Sequence, residues 1–393
     1  MIAYTNLTRE DDRLSGSLDT GTTTHPFFFS ASEPISPEID SLYPFGLLHA
    51  MKLGGPLRLP GPVSPLLLSR AAQLQDILHV WDRSFTKTSV EADSREPASG
   101  GGTDVACFFS GGVDSFYTVL KNRDEITDLI FCSGLDLQVD GSPSLAREVT
   151  SMVEEVAAAL GKRLVRVETN IRSFSDRYVG WGLFHGSVLA TIGLLFQHRF
   201  RKVLIPATHT YADLFPWGSH PLVDPLWSTE TTSFVHEGCE ATRVEKVRFI
   251  SASEVAMDWL RVCWENRDAA YNCGECEKCL RTMINLQVVG ALERCRTLPG
   301  TVDLRRVSRI SVEDENTRAF VQENLEAVER LDGDPALAAA LAAALKGGRR
   351  SDPHRWMRSL RTNVGDPLRA QLRERAPATT ARLKRLRDRR RSA

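Results

Sequence analysis

The chain has 393 residues, of which 42% are hydrophobic and 25% charged, and its formal net charge is −1. This length and composition allow a large buried core and two or three domains. Arg9, Glu10, Asp11 and Asp12 interrupt the N-terminus before any apolar run, which argues against a signal peptide. The longest apolar stretch, 188–196, is far shorter than the roughly 20 residues that a transmembrane helix needs. We therefore expect a cytoplasmic protein with no membrane partner.

The first hundred residues are predicted to form a small domain of their own. Residues 1–30 are polar and are expected to be loosely ordered. Ser64 followed by Pro65 is typical of a helix start, with a capping side chain and then proline in the first turn. We place the N-terminal domain at 1–94 and a linker, rich in glycine and small residues, at 95–103.

From Asp104 onward the pattern alternates between short apolar runs and amphipathic segments. The runs 105–109, 129–132, 164–167 and 203–206 are predicted strands. Helices are predicted from about Asp114, from Ser142-Pro143 to a stop at Gly161, and over 181–196. Such alternation predicts βαβ units and a parallel sheet, whose ligands bind at the carboxyl ends of the strands.

The first predicted strand ends in Ser110-Gly111-Gly112-Val113-Asp114-Ser115, directly before a helix. Two glycines allow the backbone to approach a ligand closely, and amides at a helix start bind anions. Asp114 would repel a phosphate directly but fits one if Mg²⁺ lies between them. The string is neither a Walker A loop nor a dinucleotide-binding motif. It predicts a phosphate-binding loop with a metal-holding aspartate, against the alternative of an ordinary capped turn.

Four of the eight cysteines lie close together in the chain. Cys263, Cys273, Cys276 and Cys279 have the spacing Cys-x9-Cys-x2-Cys-x2-Cys, which suits a tetrahedral Zn²⁺ site, with Gly274 permitting the turn. Two alternatives stay open: free structural cysteines, and a [4Fe–4S] cluster.

These two segments resemble the PP-loop, or N-type, ATP pyrophosphatases. Residues 110–115 are similar to the loop of that superfamily, and the cysteine segment resembles the zinc site of 7-cyano-7-deazaguanine synthase. Thr242, Arg243 and Glu245 resemble a Thr-Lys-x-Glu segment of the same enzymes, with arginine in place of lysine. The resemblance covers about 104–295. Because that synthase is much shorter and its substrate-binding segments have no good match here, the substrate stays open.

The resemblance implies a Rossmann-like parallel sheet of the PP-loop type in 104–300, with ATP, Mg²⁺ and Zn²⁺ as cofactors. It implies that ATP is split between its α and β phosphates while a substrate oxygen is adenylated. The residues implied to contact ATP, directly or through the metal, are Ser110, Gly111, Gly112, Val113, Asp114, Ser115 and Arg243. Ser110, Asp114 and Arg243 among them are the candidate catalytic residues. Asp136, after the second strand, is a candidate for the ribose.

Several other segments suggest a substrate pocket. Asn170 ends the third strand, Trp181 and His185 begin a helix, and a long loop follows the fourth strand. Such a loop is usually functional or disordered, and its aromatic residues argue against disorder. Its candidate substrate residues are His209, Trp217, His220 and Asp224. Structural packing or an oligomer contact is the alternative; for His185 a structural role is favoured, and Cys239 is interpreted as a buried thiol.

The predicted reaction is adenylation of a small carboxylate or carbonyl compound followed by displacement of AMP, with ammonia as the expected nucleophile. The runner-up is a sulfurtransferase acting on tRNA or a small molecule, and the third hypothesis is a non-catalytic protein that binds zinc and nucleotide. Region 301–345 is predicted to be helical. The tail 346–393 carries sixteen Lys or Arg against four Asp or Glu, a net charge of +12 that suits RNA; a solvated, partly helical extension is the alternative. A homodimer is possible.

Overall fold

The computed structural model describes residues 1–97, 100–135, 142–331 and 333–347. Residues Met1–Ala344 form one compact unit, and a second unit begins at Leu345 and lies almost wholly outside the described residues. The predictions for Asp136 and for the basic tail beyond Gly347 therefore fall outside the described part of the chain. None of the described helices combines the length and apolar composition needed to span a membrane.

The described residues contain ten strands that join in one sheet. In chain order they are β1 (Ile2–Arg9), β2 (Arg13–Asp19), β3 (Thr24–Ala31), β4 (Leu57–Arg58), β5 (Val90–Glu91), β6 (Asp104–Phe108), β7 (Asp128–Ser133), β8 (Arg163–Thr169), β9 (Phe200–Pro206) and β10 (Ser233–Glu237). Their order across the sheet is β10-β9-β6-β7-β8-β3-β2-β1-β4-β5.

Thirteen α-helices accompany the sheet in the described residues. They are α1 (Leu42–Leu53), α2 (Pro65–Ser69), α3 (Ala71–Trp81), α4 (Val113–Lys121), α5 (Pro143–Leu160), α6 (Arg172–Ser175), α7 (Trp181–Leu194), α8 (Arg243–Ile250), α9 (Glu254–Trp259), α10 (Glu277–Val288), α11 (Leu304–Val307), α12 (Glu315–Arg330) and α13 (Pro335–Gly347). Short 3₁₀ turns occur at Asp224–Trp227, Arg267–Ala269 and Leu292–Arg294.

Strands β10, β9, β6, β7 and β8 pair in parallel, which confirms the α/β class and the parallel sheet predicted for the central region. Helix α5 follows the sequence signals closely. Its N-cap Ser142 accepts a hydrogen bond from the Leu145 N–H, and Gly161 ends it in the left-handed conformation at φ +67°. Strand β10 was not predicted, because it has only five residues and directly follows a long loop.

The prediction of loose order in residues 1–30 is wrong. They form the antiparallel strands β1–β3, and β3 pairs antiparallel with β8 through Phe29 opposite Thr169. Leu14, Leu18, Phe27 and Phe29 are buried, and along β3 every second residue from His25 to Phe29 is buried. The period-two pattern of burial, rather than the polar overall composition, therefore indicates the secondary structure of this segment.

Residues 1–94 consequently do not form a separate small domain, because their strands extend the same sheet. The predicted linker 95–103 also packs against this unit where it is described. The Arg95 guanidinium contacts the buried Asp40 carboxylate. A Cβ atom on Gly102 would lie 1.6 Å from the backbone oxygen of Arg199, so only glycine fits there.

This contact gives a test of the linker's packing. We expect Gly102→Ala to lower the free energy of unfolding by about 1–3 kcal/mol, since rigid backbone must move to admit the methyl group. Gly300→Ala is the matched control, because nothing lies within 4 Å of a Cβ there. Urea unfolding of the two variants measures the difference, and equal stability would contradict the packing described here.

Candidate functional site

A cavity of about 340 Å³ opens at the carboxyl ends of β6, β7 and β9. This is the edge of a parallel sheet at which ligands bind. The predicted residues that line the cavity are Ser110, Gly112, Val113, Asp114, Ser115, Trp181, His185, His209, Trp217, His220 and Arg243. The fold therefore brings together most of the predicted phosphate loop and most of the predicted substrate residues.

The glycine loop is held by its own hydrogen bonds and by the chain next to the cysteine segment. Gly111 adopts φ +78°, and a Cβ there would lie 2.7 Å from the Met152 side chain. Its carbonyl accepts a hydrogen bond of 2.8 Å from the Arg261 N–H. The Ser115 hydroxyl donates to the Gly112 carbonyl at 3.0 Å. Gly111 thus forms the turn but does not line the cavity, whereas Ser110 and Gly112 do.

Asp114, in the first turn of α4, is paired with two cations of α8. Its Oδ2 lies 3.0 Å from Arg243 Nη2, and its Oδ1 lies 3.5 Å from Lys246 Nζ. The Lys246 ammonium also donates to the Ala207 carbonyl at 2.7 Å. Burial alone would raise the pKa of Asp114, but the nearby cations, Arg243 first, lower it overall. The carboxylate is therefore ionised and holds both cations beside the loop.

A third cation, Arg281 of α10, completes this cluster. Its guanidinium carbon lies 3.7 Å from the centre of the Phe320 ring, and that of Arg243 lies 5.2 Å from the same ring. Glu277 Oε1 is 3.4 Å from Arg281 Nε. Within the described residues, Arg243 Nε and Arg281 Nε and Nη1 are buried without a hydrogen-bond partner. Buried donors of this kind are costly, so the arrangement suits a bound anion.

Sequence reasoning predicted Arg243 but missed Lys246, Arg281 and Phe320. Lys246 follows Arg243 by three residues on α8, and this helical spacing is a signal that could have found it. Arg281 comes two residues after the last clustered cysteine, but nothing local indicates that it is buried. Phe320 belongs to α12, far along the chain, and reaches the site only through tertiary packing.

Aromatic and histidine side chains form the rest of the cavity wall. His185 Nδ1 lies 3.1 Å from the Trp181 carbonyl oxygen, and its Nε2 accepts a hydrogen bond from the Ser219 N–H at 3.2 Å. Both ring nitrogens are thus engaged, which agrees with the structural role favoured for His185. Burial and the Arg243 charge lower the pKa of His209 to about 4, so this ring is neutral and stacks near Phe320.

A buried pair of Asp224 and His236 lies at the opposite wall of the cavity. Asp224 is fully buried, does not itself line the cavity, and accepts hydrogen bonds from the Ser219 hydroxyl and His236 Nδ1, both at 2.7 Å. His236, which was not predicted, does line the cavity. Burial opposes its protonation, but hydrogen bonds to Asp224 and to Cys239 raise its pKa to about 9. At neutral pH His236 therefore adds a positive charge to the cavity wall, apart from the cluster of Arg243, Lys246 and Arg281.

Asn170 and Cys239 each have a neighbour that the sequence did not indicate. Asn170 does not line the cavity. Its amide instead accepts from the Phe28 N–H at 2.9 Å and donates to the Pro26 carbonyl at 3.1 Å, so it attaches β3 to the end of β8. The unpredicted antiparallel strand β3 therefore occupies the Asn170 side chain, and a substrate contact of this residue stays a prediction. Cys239 is buried, as expected, but its contact with His236 gives it a polar neighbour.

The four clustered cysteines fit a metal ion. All four sulfurs lie within 4.8 Å of one another, and the pairs Cys273–Cys279 and Cys263–Cys276 are each 3.9 Å apart. A tetrahedral zinc with bonds of about 2.3 Å places its sulfurs about 3.8 Å apart. Backbone N–H groups of Glu275 and Cys276 point at the Cys273 sulfur. This donor set can hold zinc, as the spacing predicted.

We expect the purified protein to contain about one zinc ion per chain. Cys276→Ala should lower the free energy of unfolding by about 4 kcal/mol or more, because metal binding energy is folding energy in such sites. Cys295→Ala is the matched control, since Cys295 is also buried but lies outside the cluster. Elemental analysis and thermal melting give the result. A purified wild type without metal, together with a Cys276→Ala variant as stable as that wild type, would contradict the site, and a brown chromophore would identify iron and sulfur instead.

The His236–Asp224 pair predicts a pH-dependent stability. Since the pKa of His236 is raised from 6.5 to about 9, its contribution is complete below pH 6.5 and is lost as the pH rises through 9. A shift of this size corresponds to about 3 kcal/mol. The stability difference between the wild type and His236→Gln, measured by urea unfolding, should therefore shrink steadily between pH 6.5 and 10. A difference that does not change with pH would contradict a protonated His236.

Comparisons with known proteins do not identify a family for this chain. No protein-family model, curated protein or solved structure matches the chain. The resemblance to PP-loop enzymes thus depends on the Ser110–Ser115 string, the Thr242–Glu245 segment and the four cysteines. At the level that the structure supports, the chain is an α/β protein with a mostly parallel sheet and a cysteine cluster suited to a metal.

Proposed function

We propose that the chain is an AMP-forming ATP pyrophosphatase of the PP-loop type. The observation that carries this proposal is the carboxylate of Asp114, which begins the helix after the glycine loop and is paired with Arg243 and Lys246. A strand, a glycine turn and a helix start form an anion site, and the adjoining cations add charge for a polyphosphate. The cavity beside the loop, about 340 Å³, is within the range of small-molecule sites.

In this proposal the polyphosphate supplies hydrogen-bond acceptors for the buried arginine N–H groups that have none in the described residues. The unpaired N–H groups of Arg243 and Arg281 donate to phosphate oxygens, while the amides next to Gly112 bind the same group. Asp114, with the hydroxyls of Ser110 and Ser115 nearby, is the residue that would hold Mg²⁺, which would shield the negative charge of the nucleotide. The chain contributes orientation and charge stabilisation, so the loop needs no general base.

The acceptor would bind at the aromatic end of the cavity. Trp181 and Trp217 offer flat apolar surface, and His236, kept protonated by Asp224, offers a positive charge to a carboxylate oxygen. Attack of that oxygen on the α phosphorus releases pyrophosphate and gives an adenylate. An amine nucleophile, ammonia in the simplest case, then displaces AMP to form an amide. A nitrile-type product would need a second ATP, which adenylates the amide oxygen so that it leaves with AMP as the C≡N bond forms.

Sulfur transfer is the second candidate, and one observation favours it. Cys132, at the end of β7, lines the cavity, and the Cys239 thiol contacts His236 nearby. Two thiols beside one adenylation site are what a sulfur carrier and its partner would need. The basic tail, as an RNA handle, belongs to this hypothesis but lies outside the described residues.

One assay separates these functions. The protein is incubated with Mg-ATP and a panel of small carboxylates, with either ammonia or sulfide, and AMP, ADP, pyrophosphate and phosphate are measured. Equal amounts of AMP and pyrophosphate that depend on acceptor and ammonia support the proposal, whereas dependence on sulfide supports the second candidate. ATP binding without turnover would indicate a non-catalytic nucleotide-binding protein. ADP and phosphate would overturn the PP-loop assignment.

Asp114→Asn tests the role of the carboxylate. The amide keeps the shape but loses the charge that would hold the metal, so turnover should fall about 10²–10³-fold. Affinity for metal-free pyrophosphate, measured by calorimetry, should stay the same or rise, because Arg243 and Lys246 lose their internal counter-ion. Asp258→Asn is the control, since that carboxylate pairs only with the exposed Arg296 in the described contacts. Full activity of Asp114→Asn would contradict the mechanism.

A further inference from the structure

The cysteine cluster and the cation cluster share helix α10. Cys276 is the residue that caps its start, and Cys279 lies in its first turn. Lys278, Arg281 and Thr282 of the same helix line the cavity. The helix is rigid over such a short distance, so any change in the position of the cysteines moves Arg281 with them.

A second connection joins the cysteine cluster to the glycine loop. The Arg261 N–H, two residues before Cys263, donates to the Gly111 carbonyl at 2.8 Å. The N–H groups of Val262 and Cys263 both donate to Asn272 Oδ1, at 2.9 and 3.1 Å. Asn272 directly precedes Cys273, a third cysteine of the cluster. Both walls of the anion site, the glycine loop and Arg281, are therefore attached to the same four cysteines.

Arg281 depends on this attachment because its immediate surroundings hold it weakly. It is only 5% exposed, yet Nε and Nη1 have no hydrogen-bond partner among the residues that the structure describes. Its nearest carboxylate oxygen, on Glu277, is 3.4 Å away and belongs to the same helix. The Phe320 ring supports one face of the guanidinium. The buried guanidinium thus lines the cavity, and its Nη1 has neither a hydrogen-bond nor an ion-pair partner among the described residues, so it can donate to an anionic oxygen.

We propose that Arg281 binds a phosphate group of a polyphosphate ligand and that metal in the cysteine cluster positions it, so that metal occupancy and anion binding are coupled. This inference rests on the anion site of the proposed function. The metal then contributes more than fold stability. Coupling between two sites is reciprocal: if bound metal raises the affinity for the anion by some factor, a bound anion raises the affinity for the metal by the same factor. Where the rate of metal release follows this affinity, a bound anion also slows the release of metal.

The first experiment measures pyrophosphate binding by calorimetry in the zinc-loaded full chain. Arg281→Ala should weaken binding about 10- to 100-fold, as expected for loss of charge-assisted hydrogen bonds. Arg281→Lys should recover part of the loss, since it keeps the charge but not the fork of donors. Arg296→Ala, at an exposed arginine, is the matched control and should bind as the wild type does. Wild-type affinity in Arg281→Ala would overturn the role of Arg281.

The second experiment measures the coupling. Zinc is removed with a chelator, folding is checked by circular dichroism, and pyrophosphate affinity is measured again; it should fall about tenfold. In parallel, zinc release from the loaded chain to a chromogenic chelator is timed with and without sulfate, an anion that binds zinc weakly. Sulfate should slow release in the wild type but not in Arg281→Ala. If the metal-free chain unfolds, zinc release alone decides.

The outcomes separate this inference from the proposed function. A wild type that binds pyrophosphate equally with and without zinc, or releases zinc at the same rate with and without sulfate, overturns the coupling but leaves the anion site in place. A zinc-loaded wild type that binds no pyrophosphate overturns the anion site, and the proposed function and the inference fall together.

Discussion

The ion pairs of Asp114 with Arg243 and Lys246 are the interaction on which the site depends. They join α4, which begins at the glycine loop, to α8, which follows the last parallel strand. Bringing these cations out of water would be unfavourable without a nearby negative charge. One carboxylate thus keeps two buried cations beside the glycine loop.

The cavity wall opposite this cluster depends on close backbone packing. A Cβ on Gly186, in α7, would lie 1.8 Å from the Gly218 carbonyl oxygen, so the long loop after β9 packs directly on the helix backbone. The His185 ring accepts from Ser219 in the same place. This contact holds Trp217 over the cavity, and the loop acts as a fixed wall. Glycine at position 186 therefore has a packing reason.

The segment after β10 contains both the cysteine cluster and several residues that line the cavity. The four cysteines within 263–279 form a compact cluster. On one side of the cluster the Arg261 N–H donates to the glycine loop, and on the other side Arg281 lines the cavity. Helix α12 closes the arrangement, since Glu323 accepts from the Val244 N–H at the start of α8 while Phe320 lies between two arginines. The cysteine cluster and the cavity are therefore joined by the same short segments of chain.

Local signals in the sequence determined the elements whose information lies within a few residues. The Ser142 cap and Gly161 stop of α5, the strand-glycine-helix turn at Ser110–Ser115 and the cysteine spacing were all predictable, because capping, positive φ and metal geometry act over one or two turns of chain. Tertiary structure alone decided the rest. The burial of Lys246 and Arg281, the protonation of His236 and the use of Asn170 by β3 each depend on a partner far away in the chain. A side chain's charge and hydrogen bonding follow from what surrounds it after folding, and no local pattern contains that neighbour.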